Sequence, residues 1–427
     1  MNPWMRAVML LVVVALLGST GCGPVSPGVS QAVSDKPRVL DPAADPGDLA
    51  GLAAGNAAFA FDLYGALRDQ DGNLFFSPYS ISVALAMTHA GAAGETARQM
   101  AQTMHFTLPA DRLHAAFNAY ALDLEARARA ETEGTPFELT VANSLWGQQG
   151  FTFRPEFLDL LGENYGAGMR LVDYTSDPEG ARHAINGWVS DETRDKIKDL
   201  IPEGAIGAMT RLVLANAIYF KAGWRNPFDA NATSPEPFRL LSGSAIEVPM
   251  MHQDESLGYA LGDGYVVLEL PYQSGEMSML ILLPDEGRFK AFEEGMSAAT
   301  LDQALAGLSY RPVLLSLPKF TYESAFSLND ALVALGMPEA FDPDRADFSG
   351  MDGARDLYIG NVLHKAFVAV DEKGTEAAAA TAVIMEVTSA PADEPVIVRV
   401  DRPFIYLIRD TRTGSVLFLG RVVDPSK

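Results

Sequence analysis

The sequence is poor in the residues that many binding and catalytic chemistries require. Of its 427 residues one is cysteine, and 32 lysines and arginines stand against 55 acidic residues, for a formal net charge of −23. A single cysteine excludes an intramolecular disulfide, so packing alone must hold the fold together. No run of basic residues of the kind that binds phosphate occurs, which argues against a nucleic-acid partner.

Sequence motifs of common enzymes are also missing. No GxxxxGK[ST], HExxH, CxxC or GxSxG segment occurs, so no motif marks a nucleotide, metal or acyl-transfer site. The acidic residues Asp342, Asp344 and Asp347 lack the glycine and the closing glutamate of an EF-hand loop. We therefore predict no catalytic residue, no metal site and no cofactor, although sequence alone leaves open a Ser/His/Asp triad that assembles only in space.

The first 22 residues have the pattern of an export signal. Arg6 supplies a positive charge, Ala7–Leu17 is an apolar run of 11 residues, and small residues precede Cys22. Such a run is shorter than the ~20 residues that a membrane-spanning helix needs. This end resembles a bacterial lipoprotein signal, with Ser19 where that signal usually has leucine. The resemblance implies lipidation of Cys22 and an extracytoplasmic place in the cell envelope. The alternative is an ordinary signal peptide cut nearby, which would give a secreted protein.

Two regions follow the signal. Residues 23–48 contain five prolines among small and polar residues, and we expect a flexible tether that reaches about 30 Å. No linker divides residues 49–427, so one α+β domain is expected there. The spacing of apolar residues predicts a first helix near 49–68, followed by a mainly helical region and then a strand-rich region. The strand-like segments are Phe137–Trp146, Arg211–Phe220, Tyr265–Tyr272, Met277–Pro284 and Val313–Phe320.

One segment carries most of the functional information. Val362–Ala382, with the sequence VLHKAFVAVDEKGTEAAAATA, resembles the hinge region of the serpins. Further segments follow the order of that family over about residues 49–427: Asn73–Met87, Leu214–Phe228, Leu317–Phe320, Asp401–Asp410 and Phe418–Pro425. The resemblance implies the serpin fold, with about eight or nine helices, three β-sheets and an exposed reactive-centre loop.

The resemblance also implies a function. The protein would be a monomeric inhibitor, and not an enzyme, whose partner is a serine endopeptidase, with cysteine endopeptidases as a second target class. In serpins, the protease attacks the loop and forms an acyl-enzyme, and the loop then enters a central sheet as a new strand that drags the covalently bound protease along. The alternative is a non-inhibitory serpin that serves as an extracytoplasmic binding module.

The loop residues can be tested against the demands of a central strand. Residues 375–390 contain no proline, which a central strand could not accommodate. Alternate positions are uncharged, as a buried face requires: Thr375, Ala377, Ala379, Thr381, Val383 and Met385. Glu376 and Glu386 both fall on the other face. These residues therefore suit an exposed loop that later becomes a half-buried strand.

Further residues are assigned by the resemblance alone. It places the hinge at Glu372, Gly374, Thr375, Glu376, Ala377, Ala378, Ala379, Ala380 and Thr381. It places the shutter, a polar cluster beneath the strands that separate, at Ser77, Ser80, Asn216 and His364. It places the breach, where insertion begins, at Trp224. Three of these also have simpler readings: Ser77 and Ser80 could be helix caps beside Pro78, and His364 alone could be a hydrogen-bonded core histidine.

The reactive bond follows from counting along the loop as inhibitory serpins do. This places it between Thr388 and Ser389, with Val387 and Met385 as alternative sites. No lysine or arginine occurs between Lys373 and Arg399. A trypsin-like protease needs a cation in its primary pocket, so we predict an elastase-like or subtilisin-like target.

Overall fold

The computed structural model describes residues 28–129, 137–375 and 394–427. The helices in these ranges are α1 (Pro46–Leu67), α2 (Pro78–His89), α3 (Gly94–Thr103), α4 (Ala110–Arg129), α5 (Pro155–Tyr165), α6 (Pro178–Glu192), α7 (Phe289–Glu294), α8 (Ala298–Ala306), α9 (Asn329–Ala334) and α10 (Ser349–Asp352), with a 3₁₀ turn at Pro338–Phe341.

The strands make up the rest of the regular structure. They are β1 (Ser30–Ala32), β2 (Leu74–Phe76), β3 (Glu138–Gln148), β4 (Met169–Val172), β5 (Leu212–Gly223), β6 (Ser234–Arg239), β7 (Ala245–Gly262), β8 (Tyr265–Pro271), β9 (Met277–Pro284), β10 (Ser309–Pro318), β11 (Phe320–Ser327), β12 (Ile359–Asp371), β13 (Gly374–Thr375), β14 (Val396–Arg399), β15 (Phe404–Asp410) and β16 (Val416–Val422). All five segments predicted as strands lie mainly within strands.

The first helix begins at a strong local signal. Asp45 accepts a hydrogen bond from the Asp48 amide at 2.9 Å, and the Asp48 carboxylate accepts one from the Asp45 amide at 3.2 Å. This reciprocal capping box, with Pro46 in the first turn, satisfies amides that have no partner inside the helix. The helix predicted near 49–68 is therefore confirmed, with its start three residues earlier.

The expected α+β fold is confirmed, with two hydrogen-bonded sheets among the described residues instead of three. The first sheet has the strand order β1-β4-β3-β5-β13-β12-β11, and the second has β14-β10-β7-β8-β9-β15-β16-β2, with β6 beside β7. The 18-residue strand β7 pairs with β6 over residues 245–250, with β10 over residues 250–259 and with β8 over residues 258–262, so it joins what would otherwise be two sheets. Ten α-helices are described, and three of them have six residues or fewer.

Strand β5 lies at the centre of the first sheet and is covered on both faces. Ile218 and Phe220 belong to a large apolar cluster on one side, whereas Ala215 and Ala217 pack on the other side in the cluster that contains Ile185 of α6. A strand covered on both faces needs a nearly continuous apolar sequence, and β5 has one.

The segment before α1 differs from the expected flexible tether. β1 pairs antiparallel with β4, so residues 30–32 form an edge of the first sheet. The Arg38 side chain donates to the Asn118 Oδ1 atom at 2.8 Å. The Val39 amide donates to the Glu163 carbonyl at 2.8 Å, and the Val39 carbonyl accepts from the Asn118 side chain at 2.7 Å. A Cβ at Gly168 would lie 2.6 Å from the Ala32 carbonyl oxygen, so the glycine at this position allows the segment to pack closely against the domain. The prolines of this segment limit it to a short strand, but they do not prevent it from packing against the rest of the domain.

Removal of this docked segment is expected to lower stability. Asn118 is fully buried and would lose the partner of its carbonyl oxygen. An unpartnered buried polar group costs about 1–3 kcal/mol, and the lost β1 pairing adds to this. A chain that begins at residue 41 should therefore melt several degrees below one that begins at residue 28, measured by thermal unfolding. Equal melting temperatures would show that the contacts contribute nothing.

Candidate functional site

The site is built where β12 turns back into the sheet. β12 and β13 form a hairpin in which Val370 pairs with Thr375 and Asp371 with Gly374. On its other side β13 pairs with the end of β5, through Gly374 with Gly223 and Thr375 with Ala222. Below this point β5 and β12 pair directly and in parallel. β13 is thus a two-residue wedge at the top of a closed seam between β5 and β12.

Trp224, the residue assigned to the breach, contacts the hairpin turn at the top of this wedge. Its indole Nε1 donates to the Asp371 carbonyl at 2.9 Å, and its amide donates to the Lys373 carbonyl at 2.8 Å. The ring stacks on Tyr272 with centroids 4.8 Å apart and an interplanar angle of 7°. The backbone amide and the side chain of Trp224 therefore each hold one end of the hairpin turn, and the indole ring is itself packed in place.

Gly374 and Thr375 have roles that depend on their size. A Cβ at Gly374 would overlap the Ala222 carbonyl oxygen, so only glycine allows this close approach. Thr375 is 1 % exposed, and its hydroxyl hydrogen-bonds the Tyr272 hydroxyl at 2.7 Å. The sequence predicted an exposed loop that is buried later. This expectation is wrong for these two residues, which already form a strand because the hairpin turn directs them into the sheet.

Glu372 in the hairpin turn is held from two sides by residues that the sequence analysis did not assign. Lys319 Nζ donates to one carboxylate oxygen at 2.7 Å, and the Thr233 hydroxyl donates to the other at 2.8 Å. Burial acts to raise the pKa of Glu372, but the hydrogen bonds from Lys319 and Thr233 outweigh it and lower the pKa. Lys319 lies in the quoted LPKF segment, whereas no local signal marks Thr233.

Loss of the Lys319 contact is expected to loosen the hinge. In Lys319→Met the Glu372 carboxylate, with a side chain 12 % exposed, keeps only Thr233 as a side-chain partner, and we expect a loss of about 1–2 kcal/mol. Glu372→Gln is the matched control, and the double variant closes a mutant cycle. Denaturant unfolding measures all four proteins. A coupling energy of zero would mean that the ion pair does not stabilise the hinge.

The four residues assigned to the shutter do meet in one buried cluster. Asn216 on β5 and His364 on β12 are direct partners across the seam, and the His364 Nδ1 atom hydrogen-bonds the Asn216 Oδ1 atom. Asn216 Nδ2 donates to the Ser80 hydroxyl at 2.7 Å, and the Ser77 hydroxyl donates to the Leu417 carbonyl at 2.6 Å. All four residues are fully buried. Ser77 is also the N-cap of α2, so its reading as a helix cap is confirmed.

The hydrogen bonds of His364 define its protonation state. Its Nε2 atom accepts from the Ser77 amide at 3.1 Å, so the proton must be on Nδ1, where it is donated to Asn216. Complete burial lowers the pKa of His364 to about 3. The neutral ring therefore joins β12 to β5 and to α2, and a proton on Nε2 would remove the acceptor that the Ser77 amide needs.

Two further contacts at the seam were missed by the sequence analysis. Asn143 of β3 extends the polar cluster, since its amide donates to the Ser80 carbonyl at 3.1 Å. The connection between α6 and β5 crosses the outer face of the seam, where Lys365 donates to the Lys198 carbonyl at 2.9 Å. Both residues lie in segments that the sequence analysis named, but their contacts could not be predicted from the sequence because each joins segments far apart in the chain.

Some assigned residues lie outside the described part of the chain. These are the candidate lipidation site Cys22 and the loop residues Glu376, Ala377, Ala378, Ala379, Ala380, Thr381, Met385, Val387, Thr388 and Ser389. Over residues 28–129, 137–375 and 394–427, no cluster of three or more metal-binding side chains is found. Within the same ranges no helix has both the length and the apolar character to span a membrane.

Comparison with known proteins places this site in a family. The family model described as Serpin (serine protease inhibitor) matches residues 54–425. The chain is 38% identical to an uncharacterized serpin-like protein of Thermococcus kodakarensis, with 99% of each chain covered. It is 40% identical to the leukocyte elastase inhibitor of Homo sapiens, over 88% of this chain and 99% of that protein. The native-state crystal structure of the thermophilic serpin tengpin has a TM-score of 0.78 at 30% identity, covering 87% of this chain and 94% of that one.

Proposed function

The chain belongs to the serpin family, and from this premise we propose that it inhibits serine endopeptidases as a suicide substrate. The catalytic serine of the protease attacks the carbonyl of Thr388, an ester bond forms, and the amine of Ser389 leaves. The new end of the loop then enters the seam between β5 and β12. The ester persists because the bound protease is moved away from the geometry that hydrolysis needs.

The observation that carries this proposal is the pairing of β13 with both walls of the seam. In the same register past Thr375, the uncharged loop positions would face β5 residues of the large apolar clusters and of the shutter: Phe220, Ile218, Asn216, Leu214 and Leu212. Thr381 would lie between Asn216 and His364, where its hydroxyl can replace the hydrogen bond that joins them. The loop is thus complementary to the seam residue by residue.

Charge supports the same register. On the outer face, Glu376 would pair with Lys221 and Glu386 with Arg211, the positions next to the two ends of β5's apolar run. Opposite charges at facing strand positions stabilise a pair, whereas a shift by one residue would bury both glutamates. Continued this far, the loop covers about 35 Å of β5 and brings Thr388 beyond Leu212, the first residue of that strand.

The target class follows from the loop and is supported by the relatives. No lysine or arginine is available between Lys373 and Arg399 to fill a trypsin-like pocket. The relatives at about 40% identity include several named leukocyte elastase inhibitors. We therefore propose elastase-like or subtilisin-like proteases as targets, with one inhibitor molecule per protease in a covalent complex.

The proposed location is outside the cytoplasm, on a lipid anchor at Cys22. The Gly28 carbonyl accepts a hydrogen bond from the Gln149 side chain at 2.9 Å, so an anchor at Cys22 would lie within about 20 Å of the folded domain. Detergent partitioning of the natural protein and of Cys22→Ser tests the anchor. Equal partitioning of both into the aqueous phase would leave a secreted protein.

A protease panel tests the inhibitory function. An elastase-type and a subtilisin-type enzyme are each expected to form a complex that survives SDS, and mass spectrometry of the released peptide identifies the reactive bond. Cleavage in the loop should also raise the melting temperature sharply, since insertion completes the sheet. A binding module without inhibitory function would be cut without a trapped complex and without a rise in melting temperature.

A further inference from the structure

A strip of apolar side chains lies exposed on the strand that follows the reactive loop and on its neighbour. We call Tyr310, Pro312, Leu314 and Ile397 the outer strip. Tyr310 is 61% exposed and Ile397 is 70% exposed, and both are among the most exposed large apolar side chains in the described residues. Pro312 and Leu314 are half-buried.

The strand register puts these side chains on one face. Residues 310, 312 and 314 alternate along β10, whose intervening residues Val313 and Leu315 are buried. Ile397 of β14 is the direct parallel partner of Leu314. β14 is also the last strand of its sheet. The outer strip is therefore a row of apolar side chains along β10 that reaches the edge strand at Ile397, and soluble proteins usually avoid such exposure at a sheet edge unless it binds something.

The position of the outer strip near the reactive bond indicates which molecule would bind it. Ile397 follows the proposed reactive bond by eight residues, counted from Ser389. Even a fully extended chain would keep the two within about 28 Å, comparable to the radius of a protease docked on that bond. The other end of the loop is fixed in the sheet at Thr375. A protease that engages the bond must therefore lie over β14. The part of its cleft that binds residues after the reactive bond would face this strand.

We propose that the outer strip is a second contact surface for the target protease, one that accepts an apolar patch on the rim of its cleft. This inference rests on the proposed function, since it names a further contact of the same partner. Aromatic residues such as tyrosine, when they lie near the centre of an interface, commonly contribute a large part of the binding free energy. The strip would thus increase the rate of loop attack and would not affect the later insertion step.

The test compares Tyr310→Ser/Ile397→Ser with Met209→Ser. Met209 is 71% exposed and precedes β5, at the opposite end of the seam from β13, so it is a matched control for loss of surface apolar area. The readout is the rate constant for loop attack by an elastase-type or subtilisin-type protease, with trapped and cleaved inhibitor counted together. We expect a fall of about tenfold in the double variant, a change of about 1.4 kcal/mol, with the ratio of trapped to cleaved inhibitor unchanged. An equal fall is expected in the affinity for a protease whose catalytic serine is replaced by alanine.

Two outcomes would overturn the proposal. One is a rate of attack in the double variant equal to that of Met209→Ser. The other is a wild-type protein that sediments as a dimer while the double variant sediments as a monomer, because a second copy of the chain would then bind the outer strip. If the wild-type loop is only cleaved and never trapped, the inhibitory function fails, but the rate of cleavage still reports on the strip.

Discussion

Thr375→Arg is expected to convert the protein from an inhibitor into a substrate. Thr375 is 1 % exposed, and its hydroxyl is bonded to Tyr272. A buried cation without a partner costs several kcal/mol, so the arginine must leave the sheet, and the strand loses its starting point. Because each 1.4 kcal/mol slows a step about tenfold, insertion should fall behind hydrolysis of the acyl-enzyme. The number of inhibitor molecules consumed per protease should rise at least tenfold, measured by titration against a fixed amount of enzyme.

Two smaller substitutions separate charge from lost contacts. Thr375→Ser keeps the hydroxyl and should inhibit like the wild type. Thr375→Val removes it and leaves the Tyr272 hydroxyl without its partner, which costs about 1 kcal/mol and should change the titration little. Wild-type stoichiometry in the arginine variant would refute the role assigned to the hinge. A lower melting temperature of that variant is expected as well, because β13 is part of the sheet before any protease acts.

Acid is expected to open the seam through His364. Its pKa is lowered to about 3 in the native protein, against about 6.5 when unfolded. Between these values the unfolded chain binds more protons, so stability is complete above pH 6.5 and is lost as the pH falls toward 3. The full difference corresponds to about 5 kcal/mol. His114, whose burial lowers its pKa to about 4, adds a loss of the same sign.

A variant isolates the contribution of His364 from the many carboxylates. His364→Gln should be less stable than the wild type at pH 7.5, because it loses the ring that contacts Phe326 and its bonds to Ser77 and Asn216. The gap between the two proteins should narrow by about 3 kcal/mol at pH 4, measured by urea unfolding across that range. His183→Gln, at an exposed position on α6, is the control. A gap that does not change with pH would mean that His364 does not titrate between the two states.

The regular elements were predictable where one local signal dominates. The capping box at Asp45 and Asp48 and the apolar spacing behind it determine α1, and the run of apolar residues in β5 determines a strand covered on both faces. The segment before α1 was predicted incorrectly. A proline-rich composition indicates that a segment will not form long helices or strands, but it says nothing about tertiary contacts. The packing of residues 28–45 depends on partners such as Asn118 and Gly168 on distant elements.

The site was predictable to the extent that a continuous motif contains it. The hinge and shutter residues came from quoted segments, and Ser77, Ser80, Asn216 and His364 do meet. Thr233 and Asn143 were missed because each contacts its partner from another part of the chain with no pattern of its own. The register that would align an inserted Glu376 with Lys221 could not be read from the sequence either, since it is extrapolated from the pairing of Thr375 with Ala222.

The sequence by itself determined the alternation of uncharged and charged residues in the loop, the lack of a cation for a trypsin-like pocket, and the small residues at the turn. These are properties of neighbours along one chain, so no fold is needed to state them. Only the tertiary structure decided that Gly374 and Thr375 are already paired within the sheet, that β5 and β12 pair directly below them, and which residues of β5 these two oppose. Those facts depend on strand pairing between segments more than 100 residues apart, and pairing of that kind is selected by the packing of the whole sheet.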